Sequence, residues 1–264
     1  MPLWLLHGFG FVLGWLTFLA SPTYRRRFVA NAAQAGYAFG QVRRGVAEAG
    51  RMVAEVPRLW FGAMPPVQWD AAEAIAALRA QGRGIVFLTP HLGCFEGTAR
   101  SYAQLFGPVT VLYRPARKPW LREVIATARE RPNLRAAPTT LAGVRQMLRA
   151  LRAGEAVGLL PDQVPPQGLG AWAPFFGREA YTMTLPARLV QQTGAVLLLV
   201  WGERLPRGRG FHVHVRPFEG ELAREPQQAA GQINAEMERM VREGPSQYLW
   251  GYARYKSPRG EAGS

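Results

Sequence analysis

Ile85-Val86-Phe87-Leu88-Thr89-Pro90-His91-Leu92-Gly93-Cys94-Phe95-Glu96-Gly97 opens with four apolar residues and closes with a histidine and a glutamate five positions apart. A short apolar run without polar interruption reads as a strand covered on both faces, and the Thr-Pro pair that follows ends it. The segment beyond Gly93 reads as a helix. In open sheets of alternating strands and helices, ligands gather at the carboxyl ends of the strands. His91 therefore stands where a reacting group belongs.

Working outward, further strands are expected at Val109–Tyr113, Ala156–Leu160 and Ala195–Trp201, with an alternating and more exposed one at Phe211–Val215. Helical stretches separate them. Trp69–Ala80 reads as a helix with Asp70 near its start, closed by Gly82 and Gly84. Leu141, Val144, Leu148 and Leu151 recur at a period near 3.6, and Ile233, Met237, Met240 and Val241 mark a last helix. The alternation predicts an α/β fold with a mostly parallel central sheet flanked by helices. Phe28–Arg58 reads as one or two amphipathic helices, broken by Met64-Pro65-Pro66.

Leu3–Ala20 (LWLLHGFGFVLGWLTFLA) carries no charge and ends shortly before Arg25, Arg26 and Arg27. As a helix it would reach roughly 27 Å, the lower limit for crossing a bilayer, and the arginines should stay cytoplasmic. An N-terminal membrane-anchoring helix is expected, either spanning or lying in the membrane plane. The organisation expected is an anchor over 1–24, one domain over 25–256 and a disordered tail over 257–264.

The chain has 264 residues, 48% of them hydrophobic, and a formal net charge of +14. This suits an anionic membrane surface. The arginines are spread over many elements and form no reading helix or aromatic RNA motif, which argues against nucleic acid as a partner. Cys94 is the only cysteine, so there is no disulfide framework, and a reducing compartment is expected.

Five residues of ideal helix turn the chain far enough to point His91 and Glu96 to different faces. His91 must then lie in the turn if Glu96, in the first helical turn, is to reach its ring, and Gly93 makes such a turn easy. A carboxylate on one ring nitrogen fixes the tautomer and leaves the other nitrogen as a general base. The nucleophile would be the hydroxyl of an acceptor. Cys94 reads as packing rather than as a nucleophile. His212 and His214 share a strand face, as metal ligands would, but have no acidic or cysteine neighbour in sequence, and no metal is expected. Arg114, before a proline at a strand end, suits a phosphate or carboxylate. Asp162 reads equally as a turn cap beside Pro165 and Pro166. Phe175 and Phe176 read as core or as pocket wall.

Five ordered blocks extend the pattern: His91-x4-Glu96, Tyr113-Arg114-Pro115, Pro161-Asp162-Gln163, Phe175-Phe176-Gly177 and Gln247-Tyr248-Leu249-Trp250. Together they resemble the lipid A biosynthesis acyltransferases, the late lauroyl and myristoyl transferases of Gram-negative bacteria, over about Arg25 to Lys256. The resemblance implies a glycerolipid-acyltransferase-like fold, an acyl carrier protein as donor, a lipid A precursor in the inner membrane as acceptor, and neither cofactor nor metal. It implies a catalytic domain on the cytoplasmic face, with His91 as general base, Glu96 as its orienting partner, and Arg114, Asp162, Gln163 and Gly177 as substrate contacts. Relatives often carry Asn-Trp before the glutamate, where this chain has Cys94-Phe95.

Overall fold

A computed structural model describes residues 1–113, 131–258 and 260. Arg114 and most of the expected tail lie outside the described residues. A seven-stranded sheet runs in the order β1-β9-β8-β2-β5-β3-β4. Its strands are β1 (Val67–Trp69), β2 (Ile85–Leu88), β3 (Val109–Tyr113), β4 (Leu134–Pro138), β5 (Ala156–Leu159), β8 (Val196–Arg204) and β9 (Phe211–Pro217). β8, β2, β5, β3 and β4 run parallel, whereas β9 is antiparallel to β8 and takes β1 with it. β6 (Gly170–Phe175) and β7 (Arg178–Met183) form a separate antiparallel hairpin.

Among the described residues the helices are α1 (Leu3–Ala20), α2 (Pro22–Gln34), α3 (Phe39–Val42), α4 (Arg44–Phe61), α5 (Ala72–Ala80), α6 (Phe95–Leu105), α7 (Leu141–Arg152), α8 (Leu185–Thr193) and α9 (Pro226–Glu243). The α/β architecture with a mostly parallel sheet and an apolar N-terminal helix is as the sequence predicts. Two local readings are corrected. Trp69 and Asp70 do not begin a helix: Trp69 ends β1, and α5 starts at Ala72 after Ala71 turns the chain with φ 53°. The stretch read as one or two helices holds three, because the chain turns at Gly36 (φ +87°) before α3.

Burial divides by sheet face. On one face, Val86, Leu88, Val157, Leu199 and Trp201 pack with α7, α8, α9 and the arms of α2 and α4. On the other, Ile85, Phe87, Val109, Leu198 and Val200 meet Ile75 of α5 and Tyr102 of α6. β2 is buried at all four residues, in keeping with its uninterrupted apolar sequence.

α1 lies antiparallel along α4, so that His7 faces Glu55, Gly10 faces Arg51 and Gly14 faces Val46. The backbones approach more closely than side chains allow: a Cβ on Gly50 would sit 2.0 Å from the Gly10 carbonyl oxygen. Small residues spaced four apart permit such contact. Leu3, His7, Gly10, Gly14 and Phe18 form the buried stripe of α1. Trp4, Phe9, Val12, Leu16 and Leu19 face outward.

Candidate active site

Two parallel neighbours deliver the central pair of groups. β2 ends at Leu88 and β5 at Leu159, paired in register, and each chain then turns at the same sheet edge. The turn after β2 carries His91, and the turn after β5 carries Asp162. The Asp162 carboxylate grips its partner twice: Oδ1 stands 2.8 Å from His91 Nδ1, and Oδ2 accepts the His91 backbone N–H at 2.9 Å. Tyr248 donates a third hydrogen bond to Oδ2 at 3.3 Å. Asp162 is fully buried. Burial alone would push its carboxyl up, but the His91 ring, the two His91 hydrogen bonds and the Arg254 guanidinium outweigh it and hold the group below its ordinary value. Nδ1 is thus committed to Asp162, and Nε2 is the ring nitrogen left to take a proton.

The ring is also held by its faces. Tyr252 stacks on it at 4.9 Å between centroids, and Phe95 meets it edge-on at 5.5 Å. The turn itself is pinned to the last segment of the chain, with Leu249 N–H donating to the His91 carbonyl and Gly93 N–H to the Gln247 carbonyl. Gly93 has φ +59°, and a Cβ there would lie 2.0 Å from the Gly202 carbonyl oxygen, so no other residue fits.

Behind this turn lies a buried ionic cluster. Arg204 of β8 binds Glu55 of α4 in a two-pronged pair, with Nε 2.9 Å from Oε2, and binds Glu48 at 2.8 Å. His7 of α1 stands 3.1 Å from the same Glu55 oxygen, and Arg204 also reaches the Gly93 carbonyl at 3.5 Å. Burial would raise the Glu55 carboxyl, yet the Arg204 charge and hydrogen bonds, with that of His7, lower it to about 2. Cys94 is buried beside this cluster, and burial pushes its thiol well up. A thiol so placed is no nucleophile.

Glu96 occupies the first turn of α6, as the sequence requires, but the carboxylate on the His91 ring is that of Asp162. Glu96 instead accepts from Trp60 Nε1 at 3.3 Å. The reason lies in the sheet: β5 ends beside β2, and Asp162 reaches Nδ1 from the adjacent strand. His91, Glu96 and Gln163 line one cavity of about 260 Å³. It runs between the sheet and α6, walled by Phe87, Val111, Tyr102, Val200 and Leu159, with Gly158 leaving room beneath. Gly177 is not among its lining residues. It forms the exposed tip of the β6–β7 hairpin, where Phe176 and Gly177 both have positive φ, as a two-residue turn demands. Phe175 and Phe176 are buried in the core.

The sequence also missed the partners of His212 and His214. Asp70, from beyond β1, stands 2.7 Å from His212 Nε2 and 3.2 Å from His214 Nδ1, and Glu203 of β8 stands 2.9 Å from His214 Nε2. None of these acids is near the histidines in sequence, and only strand pairing brings them together.

Residues 41–257 match the profile of a family described as bacterial lipid A biosynthesis acyltransferase. The chain is 28% identical over 219 residues to a lipid A biosynthesis palmitoleoyltransferase of Escherichia coli (strain K12), spanning 81% of this chain and 71% of that protein. It is 28% identical over 187 residues to a lipid A biosynthesis lauroyltransferase of the same organism, spanning 70% of this chain and 60% of that protein. A lipid A biosynthesis acyltransferase of Haemophilus influenzae is 25% identical over 182 residues, spanning 67% of this chain and 55% of that protein.

Proposed function

This chain belongs to the bacterial lipid A biosynthesis acyltransferase family, and from that premise we propose that it moves a fatty acyl group from acyl carrier protein onto a hydroxyl of a lipid A precursor. The observation that carries the mechanism is the His91–Asp162 pair at the mouth of an apolar slot. The acyl chain of the donor lies in the slot between the sheet and α6, which brings its thioester carbonyl to His91. Nε2 takes the proton of the acceptor hydroxyl as its oxygen attacks that carbonyl, and the proton then passes to the leaving thiolate. Asp162 fixes the ring tautomer and stabilises the imidazolium that forms.

The backbone N–H groups of His91, Leu92, Gly93 and Cys94 already donate to protein acceptors. Stabilisation of the developing oxyanion therefore falls to the N-terminal end of α6 or to Arg114. Glu96, on the same cavity, acts on the acceptor or on its positioning through Trp60 rather than on the ring. Gln163 lines the cavity close to the reacting groups and serves the substrate.

The enzyme works at the inner membrane with its catalytic domain on the cytoplasmic face, and α1 lies in the membrane plane. Were α1 to cross the bilayer, α4, bound along its length, would carry Glu48, Arg51 and Arg58 into hydrocarbon at a cost of several kcal/mol. With its stripe of Trp4, Phe9, Val12, Leu16 and Leu19 turned to the acyl chains, α1 seats the protein without that cost. The net charge of +14 draws it to anionic lipid and to an acidic carrier.

The test is transfer of labelled acyl groups from acyl carrier protein to purified lipid A precursor, comparing wild type with His91→Ala. Label in the precursor with wild type alone supports the assignment. Near-normal transfer by a folded His91→Ala variant would sink it.

A further inference from the structure

We infer that Asp70, His212 and His214 form a binding site for a divalent transition metal, with Zn2+ the ion whose ligand preferences they meet. The site is remote in role from the His91 cavity and does not rest on the acyl-transfer reading.

The first argument is placement. His212 and His214 alternate on β9 and so present to one face of the sheet, and in register they pair with Glu203 and Trp201 of β8. Asp70 follows the last residue of β1, and its backbone N–H donates to the Val213 carbonyl at 2.9 Å, which fixes it opposite both rings. His214 is clamped between two rings, with Trp201 at 4.7 Å and His212 at 4.4 Å. Two strands of a rigid sheet thus hold all three groups before any ion arrives, the condition for a precise site.

The second argument is distance and donor type. One atom from each of the three residues lies within 4.8 Å of the other two. Ligands bound tetrahedrally at about 2.0–2.2 Å sit a little over 3 Å apart, so the donor atoms close by up to about 1.4 Å, with a turn of the rings, to seat an ion. Two imidazoles and one carboxylate, with a fourth position for water, match borderline-soft zinc and leave harder cations without enough oxygen. All three side chains are partly exposed, which gives an ion a way in.

The third argument is charge. His214 has a carboxylate at each nitrogen, Asp70 at Nδ1 and Glu203 at Nε2. A neutral imidazole has one N–H and can satisfy only one of them. A metal at Nδ1, with Asp70 as its ligand, leaves each of the two carboxylates a partner. With the metal at Nδ1, the ring keeps its Nε2 proton and donates it to Glu203, which is the outer carboxylate that orients metal-bound histidines elsewhere. An ion there would tie β1, a three-residue edge strand, to β9.

The experiment uses the full chain in detergent micelles, without a polyhistidine tag, stripped with chelator and titrated with Co2+ while visible absorption is followed. Zn2+ is then added in competition. The expected result is about one equivalent of Co2+ in wild type and in His91→Ala, displaced by Zn2+, with Zn2+ raising Tm. Binding should be lost in His212→Asn, His214→Asn and Asp70→Asn variants that keep the wild-type circular dichroism. Glu203→Gln should bind roughly 10–100-fold more weakly. Absence of saturable binding in wild type, or binding that survives all three ligand substitutions, overturns the proposal. Loss of binding in His91→Ala overturns it too, since the ion would then sit at the His91–Asp162 pair.

Discussion

Asp162 and Glu96 separate cleanly at the level of single residues, because only the first touches the His91 ring. Asp162→Asn keeps the shape but cannot accept at Nδ1 in the same way, and it should lower kcat by about 100-fold or more, with a smaller change in KM. Glu96→Gln should cost less in kcat, and single-turnover transfer assays will rank the two. His91 was legible as a candidate from its place directly after a buried strand together with the other blocks of the resemblance. Asp162 was legible only through the Pro161-Asp162-Gln163 block of the resemblance, since its bond to His91 depends on β2 pairing with β5, which nothing local encodes. Glu55 is a second residue whose importance only the fold reveals. Removing it in Glu55→Ala leaves Arg204 buried without its main partner, a loss of about 3–5 kcal/mol measurable by denaturant unfolding. Its carboxyl is depressed from 4.5 to about 2, so its stabilisation is complete above 4.5 and fades as pH falls from there toward 2. Thermal unfolding between neutral pH and pH 3 should show that acid loss in wild type, and Glu55→Gln should flatten it.

Among the elements, α1 makes the sharpest demand on sequence reading. Its apolar run announces a membrane-seeking helix, but the burial of His7, Gly10 and Gly14 against α4 is tertiary and invisible to hydropathy. The outward face can be tested apart from the inward one. Leu13→Glu with Leu16→Glu alters only exposed positions, and it should release the protein from anionic vesicles in flotation assays while Tm stays within a few degrees. Elsewhere, the strength of the apolar pattern decided legibility. β2, β8 and α9 have strong patterns and are legible: β2 keeps its bounds, β8 runs on from the expected Trp201 to Arg204, and α9 contains the four apolar residues that mark it. β1 has three residues, of which the last, Trp69, falls in the expected helix. The β6–β7 hairpin was missed because its turn is Phe176-Gly177 rather than a recognised turn pair. The stripe on α7 was real but turned: Met147 and Ala150 are buried, while Leu141 is 77% exposed.

Over the whole molecule, the proposed membrane seating makes the charge of +14 and the apolar face of α1 partners in binding. Raising NaCl from about 0.1 M to about 0.5 M should weaken binding to phosphatidylglycerol vesicles several-fold and leave the weaker binding to neutral vesicles unchanged, because screening removes the electrostatic share alone. The fold class was open to inspection from the alternation of strands and helices, whereas the way distant segments close on His91 was not. That closure sets an order of events during synthesis. α1 leaves the ribosome ahead of α4 and meets it soon after, but Glu55 must wait 149 residues for Arg204, and the turn carrying His91 is pinned only when Gln247 and Leu249 arrive. If α1 seats the protein on lipid as proposed, a nascent chain is drawn there long before it is competent, and a chain that stops short of its last dozen described residues would occupy the membrane surface as an inert passenger.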